Sequence, residues 1–348
     1  MQAEWQQFLI AQGAHIEDGV VTHFSSPADE TDAVLNGSSV SALTHLGVIR
    51  VNGVDARTFL HNQLSNDIEH LEADNWRLAA YCSPKGRTLA VLRLFPGPDE
   101  TFYLILPRDI LAPTLKRLRM FVLMSQVTLA DVSEEYGIVG VSGSVASQQL
   151  ATKAGDARLA WEKNIAVLKL GGDPVRILLV GKQAELEHQW SELVSAARPV
   201  GGPAWQLLDI RNGDPQVFAT TVDVFVPQML NMHAIDGISF KKGCYPGQEI
   251  VARMYYLGKL KRRMYLAHAE QDTPPAAGDE LFASHSDSGQ GAGRVVMASP
   301  AHGGGVDLLI VAPVSVVEGG PLHIGSAEGA PLEIIPLPYD VPLERKAG

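Results

Sequence analysis

At 348 residues, 46% hydrophobic and 19% charged, the chain is long enough for two or three domains with a sizeable core. A formal net charge of −11 excludes wholesale electrostatic binding to nucleic acid, though not a single basic pocket. Two cysteines, Cys82 and Cys244, exclude a disulfide framework, and no apolar run approaches the ~18 residues of a membrane helix. The acid in "MQAEWQQFLIAQ" stands where a secretory leader needs a basic region, so a cytoplasmic, reduced protein is expected.

In chain order, "GVIRV" predicts a short strand. "DARTFLHNQLSNDI" predicts a helix with Asp55 as N-cap and Phe59, Leu60 and Leu64 at helical spacing. "WRLAAYCS" and "RTLAVLRLF" predict strands joined by a turn at Ser83-Pro84-Lys85-Gly86. "TFYLILP" adds a strand, "RDILAPTLKRLRMFV" a helix bent or shortened at its start by Pro113, and "VTLADV" a closing strand. This β-α-β-β-β-α-β order predicts a ferredoxin-like sheet with one extra strand.

A second α+β stretch follows. "YGIVGVSG", "NIAVLKL" and "VRILLVG" are rich in β-branched residues and predict strands. "SVASQQLATKAG" and "KQAELEHQWSELVSAARP" predict helices that end near Gly or Pro. "PAWQLLDIRNGDP" predicts a short helix opened by Pro203 and stopped by Gly213 and Pro215. Beyond about Leu257–Lys261 the texture changes to "KRRMYLAHAE", "DELFASH", "AGRVVMAS", "VDLLIVAPVSVV", "GPLHIG" and "PLEIIPLP". Short strands separated by Gly, Pro, Ser and Asp predict a small all-β barrel or sandwich there.

Several chemistries lack their motifs. No P-loop is present, because Gly181-Lys182 has no glycine five residues ahead and Gln183 follows it. "GQGAG" at 289–293 leads into a strand rather than a helix, so it reads as a barrel turn and not a dinucleotide fingerprint. The eleven histidines form no H-x-x-x-H or Cys/His cluster, so no metal site is expected. No G-x-S-x-G elbow occurs, and neither His233 nor His268 sits in a motif that would pair it with a cysteine nucleophile.

The densest basic run surrounds Cys244. Between Lys241 and Arg263, "KKGCYPGQEIVARMYYLGKLKRR" holds seven Lys or Arg and one acid, Glu249. Pro246 suits a first helical position, which predicts a helix over "PGQEIVARMYYLG" with Ile250, Met254 and Leu257 facing the core. Cys244 then sits ahead of a helix N-terminus beside Lys241 and Lys242, an arrangement that favours a thiolate. A small buried hydrophobe is the other reading of Cys244, a solvated linker that of the basic run, and a core anchor that of Trp205.

"GISFKKGCYPGQEIVAR" resembles the K-G-C-[YF]-x-G-Q-E signature of the YgfZ family of folate-binding proteins, relatives of the aminomethyltransferase (T-protein) of the glycine cleavage system. "VNGVDARTFLHNQLSNDI", "CSPKGRTLAVLRLF", "FVPQMLNMHAIDGISF" and "PLPYD" resemble further family segments, from about Gly47 to Asp340. The resemblance implies an α+β fold, a ring-like arrangement of ferredoxin-like modules with a small C-terminal β-barrel. The implied division is residues 1–50 with 135–257 around a folate cavity, 51–134 as an inserted ferredoxin-like module, and 258–348 as the barrel.

The resemblance also implies tetrahydrofolate or a derivative as ligand. Its implied partners are iron–sulfur enzymes or assembly proteins, including radical enzymes that modify tRNA, with no stable nucleic-acid binding and no membrane. Cys244 is the implied functional thiol. Trp205, Leu46, Arg211, Lys241, Gly243, Tyr245, Gln248 and Arg253 are the implied ligand-binding positions. Two of them depart from the pattern. Leu46 stands where an aromatic residue is expected, and Arg211 where relatives usually carry Glu. An Arg cannot accept the hydrogen bonds that pterin N–H groups offer. The transferase Asp is also missing, since "GRTLAVLRLFPG" has no carboxylate and carries Ala90 and Val91 at the family position. The expectation is therefore an accessory protein without independent turnover. A folate-dependent one-carbon transferase and a ligandless scaffold of the same fold are the alternatives.

Overall fold

The computed structural model describes residues 2–151, 155–258, 260–283 and 291–342. The chain divides into two compact units, one of residues 1–59, 70–77 and 93–208, the other of residues 60–69, 78–92 and 209–348.

The first unit is built on a six-stranded sheet in the spatial order Leu159–Glu162, Ile165–Gly171, Arg176–Lys182, Tyr136–Ser142, Ser39–Ala42, Arg198–Val200. Helices Ala3–Ala11 and Gln183–Leu193 cover it. Trp5, Leu9, Leu186 and Trp190 pack with Val139, Val141 and Leu179 in one core. Trp5 and Trp190 meet edge to face with centroids 6.4 Å apart. Each such side chain contributes about 1.5–3 kcal/mol by leaving water.

A five-stranded sheet runs in the order Arg77–Cys82, Thr88–Pro96, Phe102–Pro107, Leu46–Asn52, Thr128–Asp131. Helices Ala56–Gln63 and Arg108–Arg119 lie in its connections, which reproduces the predicted β-α-β-β-β-α-β order. Pro113 stands inside Arg108–Arg119 on the exposed side, and the helix runs on through it rather than being cut short.

The second unit holds a six-stranded antiparallel sheet in the order Leu322–Ile324, Glu280–Ala283, Gly293–Pro300, Val306–Pro313, Arg262–Ala269, Glu333–Ile335. It curls on itself. The Leu332 N–H donates to the Leu322 carbonyl at 2.7 Å, and Pro331 bridges His323, so its two edges are tied together. Leu281, Val295, Leu308, Ile310 and Leu322 fill the inside.

Two expectations change. "VAPVSVV" does not continue as a strand; Pro313 has no N–H for the ladder, and Val314–Gly319 turns into a short helix behind it. "SVASQQLATKAG" winds as a six-residue π-helical segment, Ala146–Ala151, while 152–154 lie outside the described residues. The "GQGAG" turn lies partly outside as well, since Gly289 and Gln290 are not described; Gly293 opens a strand as expected. Among the described residues no helix is long and apolar enough to cross a membrane.

Candidate functional site

The Cys244 motif is anchored by two glycines that touch. In the hairpin after strand Arg77–Cys82, the Gly86 N–H donates to the Ser83 carbonyl at 2.9 Å and the Ser83 N–H to the Arg87 carbonyl at 2.8 Å. Gly247 lies against that turn at φ +80°. A Cβ on Gly247 would stand 2.4 Å from the Ser83 carbonyl oxygen, and one on Gly86 would stand 2.8 Å from the Ile250 side chain. Neither position accepts a side chain, so the Lys-Gly hairpin and the Gly-Gln-Glu turn form one backbone-to-backbone joint.

That joint shifts the helix. It begins at Gln248, with Gly247 as a left-handed N-cap, rather than at Pro246. Val251, not Ile250, is its buried residue, and the Val251 carbonyl accepts from Gln228 Nε2 at 2.6 Å. Ile250 is 40% exposed. Met254 is half-buried, and the Leu257 side chain lies outside the described residues, as does Lys259 of the basic run.

Lys242 explains part of that run. Its ammonium is turned inward and donates to the carbonyls of His61 and Leu64, the latter at 2.6 Å. It therefore caps the carboxyl end of Ala56–Gln63, where carbonyls lack helical partners and the dipole favours a cation. It also lies 5.0 Å from the ring centre of Tyr245. Burial pulls its pKa down to about 8, partly offset by Asp67 and Cys244. Burial pushes the Tyr245 phenol up, with Cys82 adding to it, and burial raises Cys82 to about 12, an inert buried thiol.

Cys244 is exposed and free. Lys241 and Arg253 are exposed too, and Gln248 Nε2 reaches the Lys242 carbonyl at 3.4 Å. Beside Gly243 stands a residue the sequence reading missed. His61 Nε2 is 3.9 Å from where a Gly243 Cβ would be. Its Nδ1 accepts the Glu69 N–H at 3.1 Å and lies 3.3 Å from Asp67 Oδ1. His61 lies far upstream in "FLHNQ", with no spacing to the cysteine that a motif could register. Among the described residues no three His, Cys, Asp or Glu gather as a metal site.

Trp205 and Leu46 belong to the first unit. Trp205, on helix Gly202–Arg211, is 1% exposed, with its ring so close to Gly140 that a Cβ there would be 2.6 Å away. Leu46 opens its strand and is 6% exposed. Burial lowers the adjacent His45 to about 4, so it is neutral at pH 7. In the second unit Arg211 is committed elsewhere. Its Nε donates to Asp307 Oδ2 at 2.5 Å, and the other Asp307 oxygen is 2.9 Å from His268 Nδ1. Asp307 is wholly buried, so the Arg at 211 and the Asp on the barrel strand neutralise each other.

The GCVT N-terminal domain model matches residues 5–201. The tRNA-modifying protein YgfZ of Sodalis glossinidius (strain morsitans) is 30% identical over 304 residues, 86% of this chain and 92% of that protein. The protein of the same name from Photorhabdus laumondii subsp. laumondii is 31% identical over 331 residues, 93% of this chain and 99% of that one. The crystal structure of glycine cleavage system aminomethyltransferase T from Bartonella henselae superposes with a TM-score of 0.77, at 14% identity and 97% coverage of each chain, which shows a shared fold. With the Lys-Gly-Cys-Tyr-Pro-Gly-Gln-Glu joint in place and relatives matched along most of its length, the chain belongs to the YgfZ family of T-protein-like proteins.

Proposed function

We propose that this chain is a folate-binding accessory protein that supports iron–sulfur enzymes, among them enzymes that modify tRNA, and that it works in the cytoplasm without turnover of its own. The fold and the names of its relatives support the first part. One observation carries the second. In strand Thr88–Pro96 the positions of the transferase carboxylate are Ala90 and Val91, 0% and 5% exposed and packed as core. No acid or base stands there to handle a charged amine.

The residues fit tetrahydrofolate unevenly. Lys241 and Arg253 offer exposed cations suited to its carboxylate tail. Trp205 and Leu46, 1% and 6% exposed, present little surface to a ligand, while Gly243, Tyr245 and Gln248 frame the cysteine segment. Arg211 does not fit the role of a pterin acceptor, since it is a donor already paired with Asp307. That pairing favours a second reading, a scaffold of this fold without a pterin ligand. The proposed division into a folate-cavity module (1–50 with 135–257), an inserted module (51–134) and a barrel (258–348) belongs to the first reading.

The functional thiol in this account is Cys244. In a strain deleted for the resident family member, the chain should restore thiomethylation of tRNA by an iron–sulfur radical enzyme, and Cys244→Ala should not. Full restoration by Cys244→Ala would remove the thiol from the account. No restoration by the unaltered chain, expressed at normal level, would contradict the accessory role.

A further inference from the structure

The second unit contains a cleft of about 670 Å³ whose charged lining is Lys85, Arg87, Arg262 and Arg294, with Asp223 as the acid among them. Phe225, Met229 and Val311 supply an apolar floor. The walls are held by backbone. The Thr88 N–H donates to the Phe225 carbonyl at 2.7 Å, and the Asp223 N–H to the Thr88 carbonyl at 2.9 Å. Asn231 ties the turn Pro227–Leu230 to the barrel strand, accepting from the Met264 N–H at 3.2 Å and donating to the Met264 carbonyl at 3.0 Å. A cleft fixed in this way needs little ordering when it binds.

Its charges are unbalanced. Arg294 is paired with Glu280 at 2.7 Å, and Asp223 accepts from the Ser83 hydroxyl at 2.8 Å. Arg87 gives one nitrogen to the Val224 carbonyl, which aims the guanidinium but does not neutralise it. Among the described residues Lys85 and Arg262 have no ion-pair partner. Counting Asp223 and Glu280 against the four cations leaves an excess of two positive charges, in a chain of formal net charge −11. Cations converging over an apolar floor concentrate anions that carry a hydrocarbon or flat segment.

We infer that this cleft is a binding site for a small oligoanion, a molecule with two or more carboxylate or phosphate charges joined by a short apolar segment. A folate tail is one ligand of this class, but the ligands that test the inference contain no pterin, so its failure and that of the folate reading are distinguishable. The full chain is titrated by calorimetry with tri-γ-glutamate and, separately, with inorganic tripolyphosphate, at low and at physiological salt. Saturable binding of at least one is expected, weakening with salt as exposed charges are screened. Lys85→Gln and Arg262→Gln should each weaken it about tenfold, the loss of one well-placed charge contact, while Lys116→Gln, an exposed lysine that does not line the cleft, leaves it unchanged. Both substituted side chains are exposed, and unchanged thermal unfolding of the variants confirms their folding. Tighter binding of tri-γ-glutamate assigns the site to carboxylates, and tighter binding of tripolyphosphate assigns it to phosphates. No saturable binding of either at low salt overturns the inference, as does binding that survives the Lys85→Gln, Arg262→Gln double variant.

Discussion

Gly247 shows how one residue fixes the site. Its φ of +80° and the Ser83 carbonyl 2.4 Å from a virtual Cβ leave no room for alanine. Gly247→Ala should cost more than about 2 kcal/mol, through backbone strain and the opened joint with Gly86. Urea unfolding measures it, and a loss below about 0.5 kcal/mol, the range of neutral surface changes, would refute the joint. His45 makes a second test at this scale. Burial holds it down to about 4, so as pH falls below the ordinary 6.5 the unfolded chain takes the proton first. Stability complete above pH 6.5 is lost between 6.5 and 4, by up to about 2 kcal/mol at pH 5. His45→Gln should therefore lose less stability between pH 7 and pH 5 than the unaltered chain, and equal losses would contradict the burial of this ring. The glycines of the motif were readable as special in the sequence, but their partner was not. Gly86 and Gly247 are separated by about half the chain, and nothing local announces that they touch.

At the scale of elements, strands with β-branched runs were legible and strands built on serine were not. Ser39–Ala42 is fully buried, and its two serines stay dry because Ser39 Oγ shares a hydrogen bond of 2.7 Å with Ser142 Oγ on the neighbouring strand and the Ser41 hydroxyl donates to the Gly201 carbonyl at 3.3 Å. The helix after Cys244 was anticipated, but its face was not, since the left-handed turn at Gly247 delays the start and brings Val251 inward. Arg211 pairs with Asp307 of the strand Val306–Pro313, a contact between residues about a hundred positions apart that no periodicity could reveal. Arg211→Met should cost about 3 kcal/mol, because it leaves Asp307 buried without its cation. Arg211→Glu, which sets a second carboxylate beside buried Asp307, should cost more, and adding Asp307→Asn should recover part of the loss. If Arg211→Glu is no worse than Arg211→Met in urea unfolding, the ion pair is not what holds this end of the helix.

For the whole molecule, the basic stretch around Cys244 divides into separate roles. Lys242 closes a helix end, Lys241 and Arg253 stay exposed, and Arg262 lines the cleft that also holds Lys85 and Arg87. The fold was legible because the element order repeats a known pattern, and the family because a short motif of glycines and a cysteine is rarely assembled otherwise. His61 was not legible, since its place beside Gly243 exists only after folding. The proposed function requires that the chain bind a reduced folate without transforming it. Calorimetric titration of the full chain with tetrahydrofolate tests it most directly. A saturable heat with a Kd on the order of 10 μM, about −7 kcal/mol, is the predicted result. The absence of any saturable heat up to about 1 mM ligand, weaker than about −4 kcal/mol, would contradict it and give the lead to the ligandless scaffold.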